Sequence, residues 1–181
     1  MYCGDNIGSD IDHFEPISRA PLRTFDWLNH LLACSYCNNR KQSSYPCDET
    51  GKGLLIDPAS ENPSEHIQLI LTTGRYRELT PRGEMTIGIF GLNRGDLVQG
   101  RHNAFMTRGA VLCYVQLLVE QNREDEGRQR LAAMREEPHA SVLHAMVNVM
   151  DMDGAGDVLG REVLNALKDP RIRKMLNVGP N

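Results

Sequence analysis

The sequence predicts an α+β protein, in which a small N-terminal module of two strands and one helix precedes a mainly α-helical C-terminal half. Two short apolar segments between positions 11 and 33 flank a loop that contains prolines, as in a pair of strands. A CxxC pair and a polar helical segment follow the second strand, and apolar stripes at helical spacing recur beyond position 97. We therefore divide the chain into an N-terminal module at 1–52, a supporting hairpin and helix at 53–101, and a helical region at 102–181.

The N-terminal module contains the residue types that phosphodiester hydrolysis needs. Asp12 and His13 lie in the first strand, and Asn38 follows directly after the pair at Cys34–Cys37. If the strands pair and the helix packs across them, these three side chains lie close together. His13 is the candidate general base because histidine titrates nearest to neutral pH. Asp12 and Asn38 offer hard oxygen ligands for one catalytic divalent ion, Mg²⁺ or Mn²⁺.

Further polar residues surround this group. We expect Asn29 to hold the loop between the strands by hydrogen bonds rather than to touch the substrate. Arg40 and Lys41, on the helix, are candidates for phosphate contacts. Arg19 and Arg23, in the loop, complete the candidate nucleic-acid-binding set.

The order of these elements resembles that of the HNH endonucleases. The sequence contains DH at 12–13, W-x-N-x-L at 27–31 and CxxCN-x-x-K at 34–41, with Asn38 where the family often has its third histidine. Two later segments, LLIDPASENPSEHIQL and RGEMTIGIFGLNR, extend the resemblance over roughly residues 1–101. Over this range the sequence is similar to HNH proteins of bacterial defence operons, including retron-linked and Septu-type nucleases. The resemblance implies a ββα-metal DNA endonuclease with an anti-phage role, acting beside an ATPase or sensor encoded elsewhere.

The resemblance also implies a structural zinc ion held by Cys3, Cys34 and Cys37. Proteins of this type generally have a second CxxC upstream of the first strand, and here Cys3 stands for its second cysteine. The first would fall before Met1, which points to an alternative or misplaced initiation site. Structural zinc takes four ligands. Candidates for the fourth are, in order, an upstream residue, none at all in an incomplete site, and Cys47, while a histidine or water also stays open. A metal-free pair and a redox pair are the alternatives.

Charge gives the nuclease hypothesis no support. The net charge is −4 at pH 7, and residues 1–52 contain seven Asp and Glu against five Lys and Arg. Nucleic-acid-binding proteins usually have a basic surface. Either the four basic residues named above cluster around the cleft, or a protein partner supplies most of the DNA affinity. We favour the partner.

Composition excludes several other classes of protein. Hydrophobic residues make up 40% of the chain, which is enough for a core. Neither a run of about 18 apolar residues nor a secretory signal is present, so we expect a cytoplasmic protein without a membrane span. Five unevenly spaced cysteines do not fit a disulfide framework.

Downstream of the module, periodicity predicts one hairpin and a series of helices. We expect His30 and His66 to be packing or surface residues and Ser141 to cap a helix. The predicted elements are strands within 66–71 and 74–79, and helices at 84–91, 97–122, 124–137, after 141, and at 163–176 with a break near Pro170.

The segment Asp151–Glu162 is similar to an EF-hand loop, with aspartates at its first and third positions and glutamate at its twelfth. Ala155 stands at the fifth position, where an oxygen ligand is expected, and there is no second hand. We favour a glycine-rich turn between helices over a calcium site.

Two other functions stay open at this point. A zinc-stabilised interaction module without catalysis would keep Cys34 and Cys37 but has no need of His13, which this sequence retains. An RNase or a nicking enzyme would use the same site residues as a DNA endonuclease.

Overall fold

A computed structural model of the chain describes residues 2–5 and 8–177. It divides into two compact units, the first made of Met1–Ile70 with Gly74–Gln99 and the second of Leu71–Thr73 with Gly100–Asn181. Two antiparallel hairpins and eight α-helices lie within the described residues, which confirms the α+β class. The division at residues 52 and 101 stays a prediction.

Two strands and one helix form the N-terminal module: β1 (Asp10–His13), β2 (His30–Ala33) and α1 (Ser35–Lys41). The strands are antiparallel and place His13 directly opposite His30. The usual burial pattern is inverted in β1, because Asp12 is buried whereas Ile11 is exposed. Cys34 caps α1, since its sulfur accepts a hydrogen bond from the backbone N–H of Cys37 at 3.4 Å. The predicted order of strand, loop, strand, CxxC turn and helix is confirmed.

A second hairpin and a helix follow in the same unit: β3 (Ile67–Ile70), β4 (Arg75–Glu78) and α2 (Pro81–Phe90). The helix begins three residues before the predicted Glu84. Thr80 caps it by accepting a hydrogen bond from the N–H of Gly83, and Pro81 suits the first turn because that turn needs no N–H donor. The helix ends before Gly91, which has φ 57° and closes it in the left-handed conformation.

The core of the first unit joins the module to these later elements. Leu55 and Ile56, from the short apolar segment before Pro58, lie in it, and the N–H of Ile56 donates to Thr86 Oγ1 at 3.0 Å. Other fully enclosed members come from the module, from α2 and from the residues after it: Leu31, Cys37, Phe90, Leu92 and Leu97.

The remaining helices are α3 (Gly95–Glu120), α4 (Glu124–Glu136), α5 (Ser141–Val149), α6 (Ala155–Leu159), α7 (Arg161–Lys168) and α8 (Pro170–Met175). The break near Pro170 is confirmed. The prediction that Ser141 caps α5 is wrong, because Ala140 occupies the cap position and no side chain bonds there. In α5 the buried residues are Val142 and Met146.

Helix α6 lies inside the segment that is similar to an EF-hand loop. Ala155 is buried and starts this helix. In the described part of the chain, carboxylates of this segment form no group of three that could hold a metal ion. Among the described residues no helix combines the length and the apolar character that a membrane crossing requires.

Candidate active site and metal centre

His13 lies at the end of β1, where its ring is held by two contacts to the same nitrogen. Nε2 lies 3.1 Å from the carbonyl oxygen of Thr24 and 3.0 Å from Nε2 of His30. A carbonyl oxygen can only accept a hydrogen bond, so we assign the proton of neutral His13 to Nε2. Nδ1 then carries the free lone pair, and it has no partner among residues 2–5 and 8–177.

His30 was expected to be a packing or surface residue, and the structure instead places it against His13. The ring centroids are 4.6 Å apart in an edge-to-face arrangement. The contact follows from the strand register, which puts the two residues opposite each other. The two histidines are 17 positions apart in the sequence. Their contact could be predicted only from the residue-by-residue register of the two strands, which the sequence does not give.

Asn29 holds the loop between β1 and β2. Its side chain is buried, its oxygen accepts from the N–H of Glu15 at 2.8 Å, and its nitrogen donates to the carbonyls of Glu15 and Arg23 at 3.0 and 3.3 Å. These hydrogen bonds match the expected role of Asn29. They hold the backbone at Glu15 and at Arg23, the residue before Thr24, and so help to fix the carbonyl that orients His13.

Asp12 points away from solvent and takes part in a buried ion pair. Lys41 Nζ donates to Asp12 Oδ1 at 2.9 Å and to the carbonyl oxygen of His13 at 2.6 Å, and the hydroxyl of Tyr2 donates to the other carboxylate oxygen. Burial, followed by the negative charge of Asp12, raises the pKa of Tyr2, so the phenol keeps its proton. The expectation that Lys41 contacts phosphate is wrong, because its side chain is fully buried.

Asn38 contacts Asp10, a residue that the sequence analysis did not include in the site. Its Nδ2 donates to Asp10 Oδ2 at 3.1 Å. Asp10 and Asp12 are two apart in β1 and share a strand face, while Asn38 and Lys41 are three apart in α1 and share a helix face. Two parallel contacts therefore join α1 to β1. The sequence feature that could have predicted Asp10 as a site residue is its position two residues before Asp12 in a strand, which places both aspartates on one face.

The oxygen atoms at this interface suit a hard divalent ion. Mg²⁺ prefers carboxylate and amide oxygens, and Asp10, Asp12 and Asn38 supply these types. An ionised carboxylate has about four lone-pair sites. The hydrogen bonds of Asp12 to Tyr2 and Lys41 use two of them. The residues present therefore fit such an ion in the kind of oxygen ligand that they supply.

The other three candidate phosphate-binding residues are all engaged within the chain. Arg19 pairs with Glu15, and Arg23 pairs with Glu15 and Asp26. The guanidinium of Arg40 donates to two carbonyl oxygens in the last turn of α2, at 3.0 Å each. Two of these arginines are thus paired with carboxylates, and the third is hydrogen-bonded to backbone carbonyls.

Cys3, Cys34 and Cys37 form a compact sulfur cluster. Their Sγ atoms all lie within 4.8 Å of one another, and Cys3 and Cys34 are 3.7 Å apart, so no disulfide joins them. Tetrahedral zinc with Zn–S bonds of 2.3 Å separates its sulfurs by roughly 3.8 Å. The cluster therefore has the spacing of a zinc site, and within the described residues it is the one such group of His, Cys, Asp and Glu side chains.

The electrostatics of the cluster also favour a bound cation. The hydrogen bond between Cys3 and Cys37 lowers the pKa of Cys3 to about 5 and raises the pKa of Cys37. The Cys3 thiol therefore ionises readily, and the negative charge of its thiolate then disfavours ionisation of the Cys37 thiol. A divalent ion removes this opposition. Cys47 stands outside the cluster, where its thiol donates to the carbonyl of Tyr45 at 3.5 Å, so the structure gives no support to Cys47 as fourth ligand.

A β-hairpin with an oriented histidine, followed by a helix that brings an asparagine to the hairpin, defines the class of ββα-metal modules. Residues 1–44 match the sequence model of the HNH endonuclease family, and the N-terminal module is an HNH module. The chain is also similar to Septu protein PtuB of Bacillus thuringiensis, with 28% identity over 87 residues. That match covers 48% of this chain and 32% of the relative, so the chain spans about a third of its length. No solved structure matches the chain.

Proposed function

We propose that the chain is a metal-dependent HNH endonuclease that hydrolyses phosphodiester bonds of DNA. The observation that carries the proposal is the orientation of His13. Its Nε2 is held by the Thr24 carbonyl, and this leaves its Nδ1 to take a proton.

In the proposed reaction, His13 Nδ1 accepts a proton from a water molecule as that water attacks phosphorus. A new P–O bond forms, the bond from phosphorus to the leaving oxygen breaks, and that oxygen takes a proton from solvent. The imidazolium that forms keeps its Nε2–H bond to the Thr24 carbonyl, so the ring need not move between the two protonation states. General-base catalysis of this kind contributes roughly 10²- to 10⁴-fold in rate.

Asp12 and Asn38 are the proposed ligands of the catalytic Mg²⁺ or Mn²⁺, and the position of Asp10 against Asn38 adds a third oxygen ligand. When bound, the ion would supply positive charge for the phosphate and leaving oxygens. Lys41 and Tyr2 hold the Asp12 carboxylate in place. Asn29 is a positioning residue, since it fixes the loop that contains Thr24. The structural zinc held by the three cysteines would tie the N-terminus to α1.

Similarity to a Septu protein supports a role in bacterial anti-phage defence. The expected partner, an ATPase or sensor subunit, and the cytoplasmic location belong to this proposal. The paired state of Arg19 and Arg23 supports a partner, because it leaves the module with little free positive charge for DNA.

A cleavage assay on supercoiled plasmid, linear duplex and RNA, with and without Mg²⁺ or Mn²⁺, tests the proposal. We expect metal-dependent cleavage of DNA. Nicking alone or cleavage of RNA alone would assign the same site to a nickase or an RNase. No cleavage of any substrate, with zinc bound and the protein folded, would support the inactive interaction module and contradict the proposal.

Neighbouring asparagines provide a matched pair for the metal. Asn38→Ala should raise the Mg²⁺ concentration for half-maximal cleavage by roughly tenfold or more, as lost metal-site partners do. Asn39→Ala, one position along on the exposed side of α1, should leave it unchanged. Equal metal dependence in the two variants would remove Asn38 from the metal site.

A further inference from the structure

The loop between β1 and β2 exposes four large apolar side chains within seven residues. Their exposed fractions are 99% for Leu22, 94% for Phe25, 84% for Trp27 and 70% for Leu28. Single exposed apolar residues are ordinary on protein surfaces, whereas a concentration of them marks a site of interaction. Two of the four are aromatic, although aromatic residues make up only 6% of the chain.

This loop is directly connected to the two imidazoles of the site. The carbonyl of Thr24, which contacts His13 Nε2, belongs to the peptide bond that links Thr24 to Phe25. The carbonyl of Trp27 accepts the backbone N–H of His30. Consecutive Cα atoms are about 3.8 Å apart, so the backbone of Phe25 begins within a few ångströms of the ring of the proposed general base, and Trp27 follows two residues later in the same loop. A substrate with its phosphate at His13 therefore lies beside this loop.

The charges around the loop do not suit phosphate. Arg23 is paired with Glu15 and Asp26 at 2.8 and 3.0 Å, and Arg19 pairs with the same glutamate. The loop therefore presents aromatic and aliphatic surface with its cations neutralised. The uncharged parts of a nucleic acid that match such a surface are the faces of its bases.

We propose that Phe25 and Trp27 form a base-stacking platform that selects DNA with unpaired bases next to the scissile phosphate. The proposal rests on the proposed function. In an intact duplex the bases stack on each other, so a stacking platform favours single-stranded or locally unpaired substrate. A protein seated on the same residues would cover the neighbours of His13 and compete with the substrate, which is why we assign the loop to nucleic acid.

Trp27 is the only tryptophan of the chain, so its fluorescence reports on the platform directly. Binding is measured on the parent protein without added divalent ion, so that no cleavage occurs, and without chelator, so that zinc is retained. The probes are a single-stranded DNA oligonucleotide, its fully paired duplex, and an abasic oligonucleotide of the same length and charge. We expect the single strand to quench Trp27 and the duplex and abasic probes to leave it unquenched. An RNA strand of the same sequence shows whether the sugar matters.

Variants separate the platform from the rest of the surface. Phe25→Ala and Trp27→Ala should each weaken binding of a labelled single strand by about five- to 150-fold, the range for loss of one stacked base, and Trp27→Phe should restore most of it. Tyr114→Ala removes an exposed aromatic ring from α3 in the second unit and should change nothing. Since these side chains are exposed, the variants should unfold like the parent.

The result that would overturn the proposal is equal binding of abasic and normal strands, or unchanged affinity in Phe25→Ala and Trp27→Ala. Substitutions that abolish binding of a protein partner and leave DNA binding intact would likewise overturn it in favour of a protein interface. A protein that cleaves DNA but shows no stacking refutes the platform alone, whereas one that stacks but never cleaves refutes the proposed function alone.

Discussion

Lys41 and Asp12 form an ion pair that lies wholly inside the first unit. The ammonium group is 2.9 Å from the carboxylate, and the lysine side chain has no exposed surface. A buried pair gains little over an apolar pair of the same shape, but removal of one partner leaves the other charge uncompensated. Removal of either residue alone should therefore destabilise the fold, independently of any role in catalysis.

Lys41→Met should destabilise the protein strongly for this reason. We expect a loss of about 3–5 kcal/mol in the free energy of unfolding, measured by denaturant titration. Lys52→Met is the matched control, because Lys52 is an exposed lysine of the same unit, and it should stay within about 0.5 kcal/mol of the parent.

A double substitution completes that test. The double variant Lys41→Met with Asp12→Leu removes both charges. It should recover much of the stability that Lys41→Met alone loses, and it should not cleave DNA because Asp12 is a proposed metal ligand. If Lys41→Met alone unfolds like the parent, the side chain is not in a buried ion pair, and a phosphate-binding role for Lys41 would be open again.

At the scale of elements, α1 connects the parts of the site. Cys34 caps it, Cys37 lies in its first turn, and Asn38 and Lys41 reach the face of β1 that carries the two aspartates. A helix of seven residues has little stability of its own. Its position depends on the sulfur cluster at one end and on the contacts to β1 along its length.

Cys37→Ser should therefore remove zinc and lower the melting temperature. Metal analysis of protein purified without chelator should find zinc near one equivalent in the parent and little in the variant. Cys113→Ser changes a thiol in α3 that belongs to no cluster and should retain zinc and stability. A parent protein that contains no zinc and is nevertheless stable and active would refute the structural zinc.

The sequence predicts elements here better than it predicts contacts between them. Prolines, the CxxC turn and the apolar segments suffice to place β1, β2 and α1 in order. Contacts depend on which face each residue occupies and on strand register. The sequence did not predict the contacts of His30 with His13 and of Asp10 with Asn38, because the strand register and the rotation of α1 that produce them are set by packing. Lys41 was misassigned because its position in the motif does not reveal its burial.

For the molecule as a whole, net charge limits how the substrate is held. The chain carries −4 at pH 7, and four of the five basic residues of the module, all except Lys52, are bonded within it. Binding to nucleic acid through phosphates weakens steeply with salt, in proportion to the number of phosphates neutralised. A chain that makes few such contacts should show a shallow dependence.

The isolated chain should accordingly bind duplex DNA weakly, with an affinity that changes little between low and moderate salt. Addition of the proposed protein partner should raise both affinity and cleavage rate. Electrophoretic or anisotropy titrations over a series of salt concentrations check this. Tight binding by the chain alone, with a steep loss in salt, would rule out the need for a partner.

The most direct test of the account is the single-turnover cleavage rate of His13→Ala beside the parent and His144→Ala. His144 is an exposed histidine of α5 and serves as the control. We predict that His13→Ala cleaves roughly 10²- to 10⁴-fold more slowly, the contribution of a general base, with zinc content and unfolding transition unchanged, while His144→Ala cleaves like the parent. Cleavage by His13→Ala at the parental rate would contradict the assignment of His13 as the general base and the site built around it.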